Sequence, residues 1–179
     1  MSTSQLRASR TAGPTERPDL DLLNIPHLLR DVEVITGRQM ILRPLPDYMD
    51  SVTAGCGLRL SAPGITRILH PHGAGRRDTQ RHILHSLAHA LLDHGRPLTY
   101  GEMQRLIPQL GPSMVGRIQQ GAGTTLVGSY TAEDETVADA LADAFPTLDT
   151  TASNNRGGLT SLLRSRPGIK YPRLLGRCG

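Results

Sequence analysis

The 179-residue chain has no Trp, a single Phe and four Tyr. Its interior therefore has to be built from Leu, Ile, Val and Ala, without the large contact areas that aromatic rings bring to a core. Lys170 is the only lysine, so the positive side of the +4 net charge is almost entirely Arg. That bias is expected from coding composition and does not by itself mark a nucleic-acid surface. Two cysteines, Cys56 and Cys178, are too few for a disulfide framework, and both are expected as reduced thiols. No run approaches the roughly 18–20 apolar residues that a membrane helix requires, so no membrane association is expected. The first 17 residues also lack the apolar centre of a secretory signal, and the expected compartment is the cytoplasm.

The length suits one domain with its own core. Residues 1–19 are Ser, Thr, Arg, Gly and Pro with little to bury, and are expected as a disordered tail. The domain is expected over residues 20–150. Beyond Thr150 no acidic residue occurs, while Arg156, Arg164, Arg166, Lys170, Arg173 and Arg177 are basic. Residues 151–179 thus read as a basic C-terminal tail, solvated or docked on an acidic partner. Without interleaved aromatics or a recognition helix, nucleic acid is not the expected partner.

Apolar spacing predicts a helix within residues 20–36, begun or interrupted near Pro26 and stopped by Gly37. Segments 39–44, 57–60 and 65–70 are expected as strands of a small antiparallel sheet. A helix capped at Asp78 or Thr79 should run through His94 to the stop at Gly95. Thr99, with Glu102 in the first turn, opens another helix ending near Pro108, and Pro112 opens one toward Gln120. Residues 121–125 read as a loop. A last amphipathic helix begins at Thr131, buries Val137, Ala138, Leu141 and Phe145, and closes at Pro146. The fold class is α+β, a small sheet packed against one central helix and several others.

Residues 82–94 read His-Ile-Leu-His-Ser-Leu-Ala-His-Ala-Leu-Leu-Asp-His, holding four of the chain's seven histidines. At about 100° per residue, His82, His85, Ser86, His89 and Asp93 fall on one helical stripe, opposite Ile83, Leu84, Leu87, Leu91 and Leu92. Histidines at i and i+4 can meet one ion across adjacent turns. Alone, such a pair is more often a surface or core feature than a ligand set. A third ligand raises its weight, and the helix from Thr131 offers Glu135, with Asp139 one turn later.

The segment resembles the active-site helix of the ImmA/IrrE family of zincin-type metallopeptidases, whose pattern is H-E-L-G-H, an apolar run and a final His. Similar likenesses occur at residues 37–46, at 56–60, at 106–115 and at 129–142, so the resemblance covers about residues 22–144. It implies a zincin-like fold with His85, His89 and Glu135 as metal ligands and zinc as the metal. His94 matches the trailing His. Tyr130, within the last of these runs, joins Ser86 as a candidate catalytic residue. The departures are Ser86 in place of the catalytic Glu, Ala88 in the small-residue slot, and an altered stretch over residues 119–128.

In a zinc hydrolase that Glu takes a proton from the attacking water, and general acid–base assistance contributes roughly 10²–10⁴ in rate. A serine hydroxyl is too weak a base for this, so ordinary proteolysis is not expected. Three readings follow. A two-His-one-carboxylate site also suits iron, so the metal could serve a different, small-molecule reaction. The chain could instead be a pseudo-peptidase regulator that binds a peptide or a transcription factor, or a peptidase with a displaced base at Asp93, Glu102, Glu133 or Asp134. His82 is open as ligand, base or neighbour. Small-molecule chemistry predicts a polar, enclosed pocket at the histidines, whereas peptide binding predicts an open apolar groove.

Overall fold

The computed structural model describes residues 24–45, 57–71, 75–109, 111–120, 123–149 and 159. Both cysteines and most of the two expected tails lie outside these residues. Helix α1 (Ile25–Thr36) opens at Asn24, whose side chain accepts the His27 N–H at 3.1 Å, and carries Pro26 in its first turn, where the missing N–H removes no helical bond. Gly37 ends it at φ 66°, the left-handed conformation that glycine adopts without a Cβ clash.

Strands β1 (Gln39–Pro44), β2 (Arg59–Ala62) and β3 (Ile65–His70) follow. The reversal between β2 and β3 is Pro63-Gly64, with Gly64 at φ 69°. Helix α2 (Arg76–Leu91) is next, then the two-residue strand β4 (Arg96–Pro97). Helices α3 (Tyr100–Leu106) and α4 (Pro112–Gln120) precede strand β5 (Thr125–Ser129), and α5 (Ala132–Ala142) and α6 (Phe145–Asp149) complete the described order.

The result is a mixed α+β architecture. The sheet has five strands in the order β1-β3-β2-β5-β4. It departs from the expected antiparallel sheet because β1 pairs with the outer side of β3 in parallel, Leu42 opposite Ile68, while the remaining pairs are antiparallel. Strand β5 lies in a stretch only partly read as loop, and its Gly128 explains the weak signal. A Cβ there would sit 2.5 Å from the Leu58 side chain, so close packing demands a residue of poor strand propensity.

Register assigns the two faces. Arg59, paired with both Ile68 and Val127, lies on the same face as Leu42. On that side Met40 and Ile68 join Leu28, Val32, Ile83, Leu84, Leu87, Ala138, Leu141 and Phe145 in one core, which also contains Leu159. The other face carries a second core of Leu45, Leu58, Leu98, Met103, Ile107, Val115 and Leu126. The sheet thus separates α1, α2, α5 and α6 from α3 and α4.

Three helix boundaries differ from expectation. Helix α2 starts at Arg76 behind Gly75, with Asp78 inside its first turn, where its charge complements the helix dipole. It stops at Leu91, three residues short, because Asp93 turns to φ 52° and the buried Arg59 guanidinium donates to the His94 carbonyl. Helix α5 ends at Ala142, and Pro146 sits at the second position of α6 rather than closing the preceding helix. Among the described residues no helix is long and apolar enough to cross a membrane.

Because α2 is covered by the sheet, α1 and α5, its C-terminal half is buried almost all round. Leu87, with no exposed surface, lies at that junction. Leu87→Ala is expected to lower unfolding free energy by about 2–5 kcal/mol, read from urea denaturation midpoints at unchanged slope.

Candidate metal centre

Two helices build the site. Helix α2 presents His85 and His89 one turn apart, and α5 presents Glu135 and, one turn on, Asp139. The depth of Glu135 follows from a reciprocal cap. Thr131 Oγ1 accepts the Asp134 N–H at 3.1 Å, and the Asp134 carboxylate accepts the Thr131 N–H at 3.0 Å. That cap fixes where the first turn of α5 begins, and with it which residues face α2.

Three atoms converge there. His85 Nε2 is 2.9 Å from His89 Nε2 and 3.1 Å from Glu135 Oε2, and His89 Nε2 is 3.7 Å from the same oxygen. Ligands bound tetrahedrally at about 2.0–2.1 Å are separated by roughly 3.3–3.4 Å, which these distances bracket. The His85-His89-Glu135 group can therefore hold a metal ion. Its donor set also calls for a cation, since two imidazole nitrogens and a carboxylate oxygen repel unless a positive charge or proton lies between them.

Behind the group, Asp139 Oδ1 lies 2.9 Å from His85 Nδ1. A carboxylate there accepts the Nδ1–H and leaves the Nε2 lone pair of the neutral ring facing His89 and Glu135. His89 has no exposed surface. Burial, reinforced by the neighbouring His85, His94 and Arg59, pushes its pKa down to about 3, so its ring is neutral, as ligation requires.

The expected polar stripe is not a surface. Ser86 is 1% exposed, its Oγ has no hydrogen-bond partner among the described residues, and the Gly57 backbone closes over it. A Cβ on Gly57 would lie 1.8 Å from Ser86 Oγ. Asp93 has left the helix and lies 4.0 Å from both Arg38 and Arg59. Tyr130 stacks on His89 with ring centroids 3.8 Å apart, and its hydroxyl donates to the Gly57 carbonyl at 2.9 Å. His94, outside the helix, packs edge-on against His89 at 5.5 Å, with its Nε2 3.7 Å from Asp134.

A cleft of about 240 Å³ opens beside the metal group, lined by Asp78, Arg81, His82, His85, Glu135, Asp139, Ala142 and Asp143. Ser86, His89 and Tyr130 are not on its wall. Neither are the four carboxylates considered as displaced bases. Glu102 is engaged by Arg96 at 2.5 and 2.9 Å and by the Thr99 cap, and Asp134 caps its own helix. His82 does line the cleft. Sequence reasoning missed Asp78, Arg81 and Asp143 as cleft residues, although helical periodicity carried the signal: Asp78 and Arg81 precede His85 by seven and four positions, and Asp143 follows Asp139 by four.

The closed space at position 86 yields two predictions. Ser86→Glu should not create peptidase activity. It should instead destabilise the fold by about 3 kcal/mol or more, roughly 6–12 °C in melting temperature, because a carboxylate would be buried there without a partner. Gly57→Ala should also destabilise, and Ser86→Gly in that background should recover part of the loss. Additive effects in this double-mutant cycle would rule out the contact. Compared with protein-family models, curated proteins and solved structures, the chain has no match.

Proposed function

We propose that this protein is a single-ion metalloprotein of zincin-like design, in which His85 and His89 from α2 and Glu135 from α5 hold the metal. The carrying observation is the convergence of these three ligand atoms within 2.9–3.7 Å of one another, with Asp139 behind His85. Zinc is the favoured ion, since neutral imidazole and carboxylate in near-tetrahedral spacing suit it; iron is the alternative for a two-His-one-carboxylate set.

The reaction we propose is metal-dependent chemistry on a small polar molecule rather than standard peptide hydrolysis. A bound ion supplies Lewis acidity and a lowered pKa for water. The chain's own residues supply the rest. Asp139 holds the His85 tautomer, buried His89 contributes a neutral ring, and Asp78, Arg81 and His82 offer hydrogen-bonding groups to a substrate in the cleft. Position 86 contributes no proton acceptor. The cleft is open rather than enclosed, but its predominantly polar and charged lining supports a small polar substrate over an apolar peptide segment.

Elemental analysis after metal-free purification and titration should give about one equivalent of zinc per chain. His85→Ala, His89→Ala and Glu135→Gln should each abolish stoichiometric uptake, while Asp139→Asn should weaken it roughly 10–100-fold. Wild-type protein that takes up less than about a tenth of an equivalent of zinc or iron(II) would refute the ligand assignment.

A further inference from the structure

The two histidines at the centre are oriented by different devices. His85 has a carboxylate on its far nitrogen, the Nδ1–Asp139 contact of 2.9 Å. His89 has none among the described residues: its Nδ1 is buried and without a hydrogen-bond partner there. A ligand imidazole usually gains its ring orientation from a hydrogen bond at that second nitrogen. For His89 the ring plane has to be set otherwise.

The surface that sets it is the Tyr130 ring, stacked at 3.8 Å with the planes 23° apart. Tyr130 is in turn confined on two sides. Its hydroxyl donates to the Gly57 carbonyl at 2.9 Å, and a Cβ on Gly95 would come within 2.5 Å of its ring. Gly57 is itself seated over Ser86, on the same helix as His89. The contacts form a closed circuit, from α2 through Ser86, Gly57 and Tyr130 back to His89.

We infer that Tyr130 is the positioning residue of His89, fixing the plane of its ring toward the metal by stacking as Asp139 fixes His85 by hydrogen bonding. The inference rests on the metal reading proposed above. It gives Tyr130 no contact with a substrate: its hydroxyl is engaged by Gly57 and its ring is absent from the cleft wall.

The test uses the full chain as wild type, Tyr130→Leu, Tyr130→Phe and Asp139→Asn. Zinc affinity is read by competition with a chromogenic chelator, and ligand geometry from the absorption spectrum of the cobalt(II)-loaded protein. Tyr130→Leu keeps apolar bulk but no ring plane. It should weaken zinc binding roughly tenfold or more and alter the cobalt spectrum, whereas Tyr130→Phe should stay within about threefold of wild type. A folded Tyr130→Leu protein with wild-type affinity and spectrum overturns the inference.

Proton and nitrogen NMR of the His89 ring in metal-free protein separates this inference from the metal reading. Stacking should move the His89 ring protons upfield in wild type and in Tyr130→Phe. Resonances at ordinary positions overturn the positioning role whatever the Leu variant does. Shifted resonances in a protein that takes up no zinc would retain the stack and refute the metal reading instead.

Discussion

The packing of α2 against α5 is the contact on which the site depends. Neither helix carries three ligand atoms. His85 and His89 meet Glu135 because Leu84, Leu87, Ala88 and Leu91 on one helix share a core with Ala138, Leu141 and Ala142 on the other. Each buried leucine contributes about 1.5–3 kcal/mol, so the convergence of the ligand atoms is held by a conventional core rather than by the polar groups themselves. His85, Glu135 and Asp139 sit at the edge of that interface, where the helices leave a cleft instead of closing, and His89 lies buried behind them.

The same packing explains why position 86 holds a serine. An unpaired buried hydroxyl costs about 1–3 kcal/mol, whereas a buried carboxylate without a partner costs several. With the Gly57 backbone over Ser86 and Tyr130 bonded to the Gly57 carbonyl, the described residues leave little space and offer no hydrogen-bond partner at this position. The serine is therefore one part of a close-packed corner that includes Gly57, Tyr130 and Gly95. Changing it alone does not create the environment that a general base needs.

Much of this was legible before the structure. Histidine spacing and the acidic start of α5 pointed to His85, His89 and Glu135, because helical period and cap residues are local properties that the chain states directly. Gly37 and Thr131 marked helix ends for the same reason. What was not legible depends on neighbours distant in sequence. Arg59 shortens α2 from 35 positions away, and Gly57 covers Ser86 from a segment whose strand signal says nothing of what it packs on. The parallel pairing of β1 with β3 is a tertiary choice that period-two patterning does not encode. The helical wheel placed Ser86 and His89 on a polar face correctly as geometry, but it carries no information about what covers that face.

The charge around the cleft adds a last constraint. Among the described residues, Asp78, Glu135, Asp139 and Asp143 stand against Arg81 alone on its wall, with His82 and His85 beside them. Burial holds His82 toward its neutral form, and the neighbouring His85 and His70 act in the same direction. The wall therefore carries an excess of carboxylates that its own cations do not balance. Two of these carboxylates already touch His85, through Nε2 and through Nδ1. A cation between Glu135 and the two imidazoles would relieve that repulsion, and burial of His89 holds its own ring neutral down to about pH 3. The burial that keeps His89 neutral and the carboxylates around His85 thus act together, and both suit a cation at the point where the three ligand atoms meet.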